Sequence, residues 1–221
     1  MSTVVRVWDL PTRVFHWALA ASTLSSLTSA LIGGNAMLWH FRFGFGVISL
    51  LLFRIIWGVV GGRWSRFAAF IYAPTTVLRY LKGQGQAEHS IGHNPLGAFS
   101  VFALLGSLLL QVASGLVSDD EIATVGPLAK FVSNVVVSNA TYYHRHVGKP
   151  ILLVLMAFHV GAILFYFFKN GENLLTPMIL GDKQTHTPLP SSRDDLASRL
   201  LALALFLSCA ALVSWVIVRA G

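Results

Sequence analysis

The chain has 221 residues, of which 55% are hydrophobic and 11% charged, with 16 Lys and Arg against nine Asp and Glu for a net charge of +7. So apolar a composition excludes an ordinary soluble globular domain and marks a polytopic membrane protein. The basic residues gather at the ends of apolar runs, so the charge reads as a topology signal and not as a nucleic-acid surface, and the single cysteine, Cys209, excludes both a disulfide framework and covalent C-x-x-C-H attachment of a haem.

Five segments reach the roughly 20 residues needed to span a bilayer. The first runs from about Val14 to Ile32 and ends at Gly33-Gly34; it lacks a small-residue cleavage site and is expected to be retained. The second runs from about Met37 to Val60 and ends at Gly61-Gly62. The next segment, Ala73 to Lys82, has the pattern of a short amphipathic helix at the cytoplasmic interface. The third span is Pro95 to Val117, with Pro95 suited to a first helical turn. Ser118 to Tyr142 is the longest external connection and carries Asp119, Asp120 and Glu121. The fourth span runs from about Tyr143 to Phe168, residues 181–195 are polar and irregular, and the fifth span is Leu200 to Val218. The fold class expected is an all-α transmembrane bundle: a four-helix core over residues 1–183, then a linker and an additional helix over 184–221.

With the N-terminus in the cytoplasm, the inner segments carry Arg6, Arg13, Arg63, Arg66, Arg79, Lys82, Lys169, Lys183, Arg193 and Arg199. The outer ones carry Arg42, Lys130, Arg145, Lys149 and Arg219. Ten against five favours N-terminus in and C-terminus out. Trp8, Trp17, Trp39, Trp57 and Trp64 mostly fall near span ends, as interfacial anchors do, and the Ser22–Ser29 run reads as close helix packing.

Imidazoles in hydrocarbon are costly unless they have a partner, and this chain places several at matched depths. His16 enters the first span from the cytoplasm and His40 the second from outside. His144 and His146 begin the fourth span, and His159 lies 13 to 15 residues further along it, about 20 Å deeper. His16 with His159, and His40 with His144 or His146, therefore form two layers. Each layer offers one imidazole from each of two helices, which is what a six-coordinate haem iron requires. At about 100° per residue, the 15-residue spacing of His144 leaves it about 60° from His159, whereas His146 is about 140° away. Phase thus prefers His144, and Pro150 suggests a local widening of the helix that would improve it. Arg54, 14 residues after His40, projects to the inner layer, where it either meets haem propionates or snorkels to the interface. His89, His93 and His186 fall in predicted loops, where His93 is expected to cap or enter the third span.

At these residues the chain resembles the prokaryotic cytochrome b561 family and the related b-type cytochrome subunits of nickel-iron hydrogenases. The matching stretches are Val7-Trp8-Asp9-Leu10-Pro11-Thr12-Arg13-Val14-Phe15-His16-Trp17, Trp39-His40 with Gly44, and Leu52-Phe53-Arg54-Ile55-Ile56-Trp57-Gly58. They continue with Gly92-His93-Asn94-Pro95-Leu96-Gly97, Phe158-His159-Val160, Asn173-Leu174 and Pro177-Met178-Ile179, covering about residues 4 to 183. The resemblance implies a four-helix core holding two non-covalent haem b groups, with His16 and His159 on the cytoplasmic-side haem and His40 and His144 on the periplasmic-side one. The family's usual spacing of 14 between the two span-four ligands is not met here, and the fifth span lies beyond its simplest members.

The function expected is transmembrane electron transfer in the bacterial inner membrane, between the quinone pool and a periplasmic c-type cytochrome, hydrogenase or other redox protein. Bis-histidine ligation leaves no open position at iron, no side chain is assigned a catalytic role, and a homodimer is compatible with the pattern. A quinol at the outer face would meet Tyr142, Tyr143, Arg145, His146 and Asp119. The rival readings are a self-sufficient superoxide:quinone oxidoreductase using Arg42, Arg145 and Lys149, a haem-free proton or metal relay through the histidines, and a structural anchor subunit.

Overall fold

The computed structural model describes residues 3–84, 91–120, 124–185 and 189–220; His89, Glu121 and His186 lie outside the described residues. The described chain is mostly helical. In chain order it has β1 (Thr3–Arg6), α1 (Leu10–Ile32), α2 (Met37–Val60), α3 (Pro74–Leu81), α4 (Pro95–Leu116) and α5 (Asn134–Tyr142). A π-helical segment (Tyr143–Gly148) leads into α6 (Lys149–Asn170), and α7 (Leu175–Leu180), β2 (Asp182–Thr185) and α8 (Leu196–Ala220) follow.

Helix starts follow the local chemistry. Asp9 precedes α1 and its Oδ1 accepts the Thr12 N–H at 2.8 Å. Asn94 caps α4, accepting the Gly97 N–H at 2.7 Å ahead of Pro95 in the first turn, so capping falls to Asn94 and not to His93. Asp195 caps α8 through the Ser198 N–H at 2.8 Å. The chain leaves α1 at Gly33 and Gly34, both with positive φ, as the glycine pair led us to expect.

Among the described residues, four helical stretches are long and apolar enough to cross a membrane: Gly34–Val60, Pro95–Leu116, Asn134–Asn170 and Leu196–Ala220. The first expected span does form a helix, α1, of 23 residues. It is not among the four, because Arg13, His16 and the hydroxyls of Ser22, Thr23, Ser25, Ser26, Thr28 and Ser29 lower its hydropathy. The connection expected to reach Tyr142 stops earlier, since α5 already begins at Asn134. Residues 182–185, expected to be irregular, pair antiparallel with the β-branched run Thr3–Arg6.

The chain forms two compact units. The first comprises Met1–His16, Phe53–Phe102 and Phe158–Leu205. Its apolar cluster is Val5, Val7, Trp8 and Ile91, with Trp64, Met178 and Leu189 packed against it. At its polar centre, Asp9 is fully buried. Its Oδ2 accepts from Ser65 Oγ at 2.9 Å and Gly62 N at 3.1 Å, and its Oδ1 from Trp57 Nε1 at 3.3 Å. A Cβ at Gly62 would run into Asp9 Oδ2, so only glycine allows this approach. Trp8 and Trp57 are thus core residues and not interfacial anchors; Trp57 is 1% exposed and stacks on Phe53. Beside them Asp194 bonds Arg6 at 2.7 Å, Arg199 at 3.0 Å and the Leu10 N–H at 3.1 Å.

The second unit comprises Trp17–Leu52, Ala103–Ala157 and Phe206–Gly221. Val47, Leu51, Leu108 and Leu152 form its core, with Leu19, Leu104, Leu105, Val112 and Met156 against it.

Candidate functional site

Each unit brings two histidines face to face. In the second, the rings of His40 on α2 and His144 on the π segment lie 6.0 Å apart, centroid to centroid, with planes at 83°. His40 Nδ1 lies 2.9 Å from the Ser26 carbonyl and 3.0 Å from Ser26 Oγ. His144 Nδ1 lies 2.8 Å from the Gln111 carbonyl. An Nδ1–H donated to each carbonyl leaves both Nε2 lone pairs free for a metal. The rings line a cavity of about 440 Å³ whose wall includes the small residues Ser26, Ala30, Gly44 and Gly115.

His146 does not join them. Its ring lies 5.2 Å from that of Tyr142, and both line a separate polar cavity. The widening expected near Pro150 is present as the π-helical segment Tyr143–Gly148, which ends two residues before the proline. Tyr142 and Arg145 border that polar cavity together with Asp119, Asp120 and Thr141.

In the first unit, the rings of His16 on α1 and His159 on α6 lie 6.3 Å apart with planes at 49°. Arg54 is 3% exposed, so it does not snorkel. Its Nη1 donates to the Ser65 carbonyl at 2.9 Å, and its guanidinium lies over Phe67 at 4.5 Å and Phe15 at 5.9 Å. His93 is wedged between Phe70 at 4.4 Å and Trp8 at 4.7 Å, and its buried Nδ1 has no hydrogen-bond partner among the described residues. Burial first, then the nearby charge of Arg54 and the presence of His159 and His16, push the His93 imidazole down to about 3, so it is neutral.

The ring separations test what the pairs could hold. Two metal–imidazole bonds of about 2.0 Å each, plus roughly 1.1 Å from nitrogen to ring centre on each side, place two rings about 6.2 Å apart across one ion. The observed 6.0 and 6.3 Å bracket that value. Among the described residues no cluster of three His, Cys, Asp or Glu could complete a protein-only metal site. Two pairs of imidazoles at this separation, with no third protein ligand among the described residues and one pair beside a cavity, would suit the two protein ligands of a haem iron. Residue patterns alone did not single out Asp9, Ser26, Gln111 or Gly115. Gln111 left one signal, an amide in a helix whose other polar side chains are all serines.

These features define a b-type cytochrome fold in a multi-pass membrane protein. The family model described as prokaryotic cytochrome b561 matches residues 7–181, and the chain belongs to that family, which implies haem b and the bacterial inner membrane. It is 24% identical over 216 residues to a probable Ni/Fe-hydrogenase B-type cytochrome subunit of Rhizobium leguminosarum bv. viciae, covering 81% of this chain and 88% of the relative. A relative of the same description from Rhodobacter capsulatus is 27% identical over 219 residues, covering 82% of each. No solved structure matches the chain.

Proposed function

We propose that the chain is a di-haem electron-transfer subunit carrying electrons across the inner membrane between the quinone pool and a periplasmic redox partner, a c-type cytochrome or a hydrogenase. The observation that carries this reading is the pair of imidazole couples at a metal-bridging separation, 6.0 and 6.3 Å. When bound, each haem supplies a one-electron ferric/ferrous couple. His40 and His144 would hold one, and His16 and His159 the other. Two imidazole ligands on each iron would leave oxygen no free site. Arg54 and the neutral His93 would supply hydrogen-bond donors for propionates at the His16–His159 site, and the apolar helices exclude water. In this reading α1 is the first of five spans despite its hydroxyls, residues 1–183 form the four-helix di-haem domain, and α8 is the fifth span, added to it. Arg42, Arg145 and Lys149 stand outside, the N-terminus is cytoplasmic, and α3 lies at the cytoplasmic interface.

The superoxide:quinone alternative needs a positive approach to the His40–His144 site. Arg145 and Lys149 do line its cavity, but Asp119 and Asp120 line it too, which leaves no net positive funnel among the described residues.

The test is a reduced-minus-oxidised spectrum with haem quantification on wild type, His144→Ala and His146→Ala. The expected result is two haems, one haem and two haems. A colourless wild type, or two haems in His144→Ala, overturns the assignment.

A further inference from the structure

Gln111 addresses His144 with both of its polar ends. Its backbone carbonyl lies 2.8 Å from His144 Nδ1, and its side-chain Nε2 donates to the His144 peptide oxygen at 3.0 Å. Ser114 Oγ donates to the same Gln111 carbonyl at 2.9 Å and lies 3.3 Å from His144 Nδ1. Two glycines make the room. A Cβ at Gly148 would run into Gln111 Oε1, and one at Gly115 would lie 2.8 Å from His144 Cε1.

The π segment explains why the His144 peptide oxygen is open to a side chain. In a regular α-helix each carbonyl takes the N–H four residues on; in a π turn that register moves by one, and the carbonyl ladder loosens. Gln111 Oε1 is buried and takes no hydrogen bond among the described residues, so the donor end of the amide sets its orientation.

We propose that Gln111 is the positioning residue of the His40–His144 pair, holding His144 instead of His146 opposite His40 and presenting its Nε2 to the iron. The proposal rests on the haem reading above. A bond from Nδ1–H to a carbonyl makes the imidazole a stronger donor, which favours ferric iron and lowers the potential of that site. With ring planes at 83°, a ferric low-spin haem held by this pair would give a strongly anisotropic spectrum that responds to rotation of either ring.

The test uses the full chain with Gln111→Met, which keeps length without a donor, and Gln111→Asn, which keeps the amide but is one methylene short of the His144 oxygen; both keep the backbone carbonyl at 111, so any shift reads the side chain's hold on the His144 peptide, whose loss loosens the Nδ1–carbonyl bond. Redox titration, electron paramagnetic resonance and haem quantification are read on each. The expected result is two haems, an upward shift of one midpoint potential with the other unchanged, and an altered anisotropic signal. Loss of one haem with the other unshifted is the same effect taken further. Wild-type potentials and spectra in both variants would overturn the proposal, as would failure of both variants to fold, which would make Gln111 a general packing residue. Two haems in His144→Ala would sink the haem reading itself, independently of Gln111.

Discussion

A carboxylate with no exposed surface is tolerated at position 9 because four donors face it: the N–H groups of Thr12 and Gly62, the Ser65 hydroxyl and the Trp57 indole. Asp9→Asn turns one of its acceptors into a donor facing other donors. We expect it to cost about 2–4 kcal/mol, read as a lowered thermal midpoint in detergent with Asp195→Asn as an exposed control. Asp194 behaves differently. Burial favours its neutral form, but hydrogen bonds from Arg199, the Leu10 N–H and Arg6 outweigh that and hold its carboxyl below the usual range. A depressed carboxyl contributes stability that is present above its unfolded value of about 3.9 and lost as pH falls through the folded one. The melting difference between wild type and Asp194→Asn should therefore be full at neutral pH and shrink below pH about 4. A difference independent of pH would contradict this.

At the scale of elements, the π segment decides which histidine meets His40. Deleting Val147 would let residues 143–149 close into a regular α-helix and turn His144 by about 100°. The expected outcome is loss of one haem with the other spectrally intact. Retention of both would show that the π geometry is dispensable. The Gly33-Gly34 stop and Pro95 in a first turn were legible in the residues themselves, whereas the caps at Asp9 and Asn94 were not, and the cap expected at His93 falls to Asn94. Helix α5 was not legible either. Val135, Val136 and Val137 are β-branched and favour strands in isolation, and only continuity with the following helix keeps them helical.

For the whole molecule, composition and the four long apolar helices among the described residues call for a membrane, and the ten-to-five charge asymmetry is the basis of the proposed orientation. Alkaline phosphatase fused after Gly221 should be active, and fused after Lys82 inactive; the reverse pattern would refute the orientation. Histidine spacing, read with the period of a regular helix, was enough to nominate His16, His40, His144 and His159 and to prefer His144 over His146. It could not bring the pairs to 6.0 and 6.3 Å, nor show that Trp8 and Trp57 are buried or that His93 is stacked between two rings.

Membrane class, the existence of the long helices and the candidate imidazoles are local or periodic properties, and these were legible in the sequence alone. The close approach of each histidine pair, the carbonyls that the His40 and His144 Nδ1 atoms face and the separation of His146 from His40 came only with the tertiary structure. The reason is physical: the π turn and the His144 hydrogen bonds draw on Gln111, 33 residues away along the chain, and no periodicity encodes a contact at that separation.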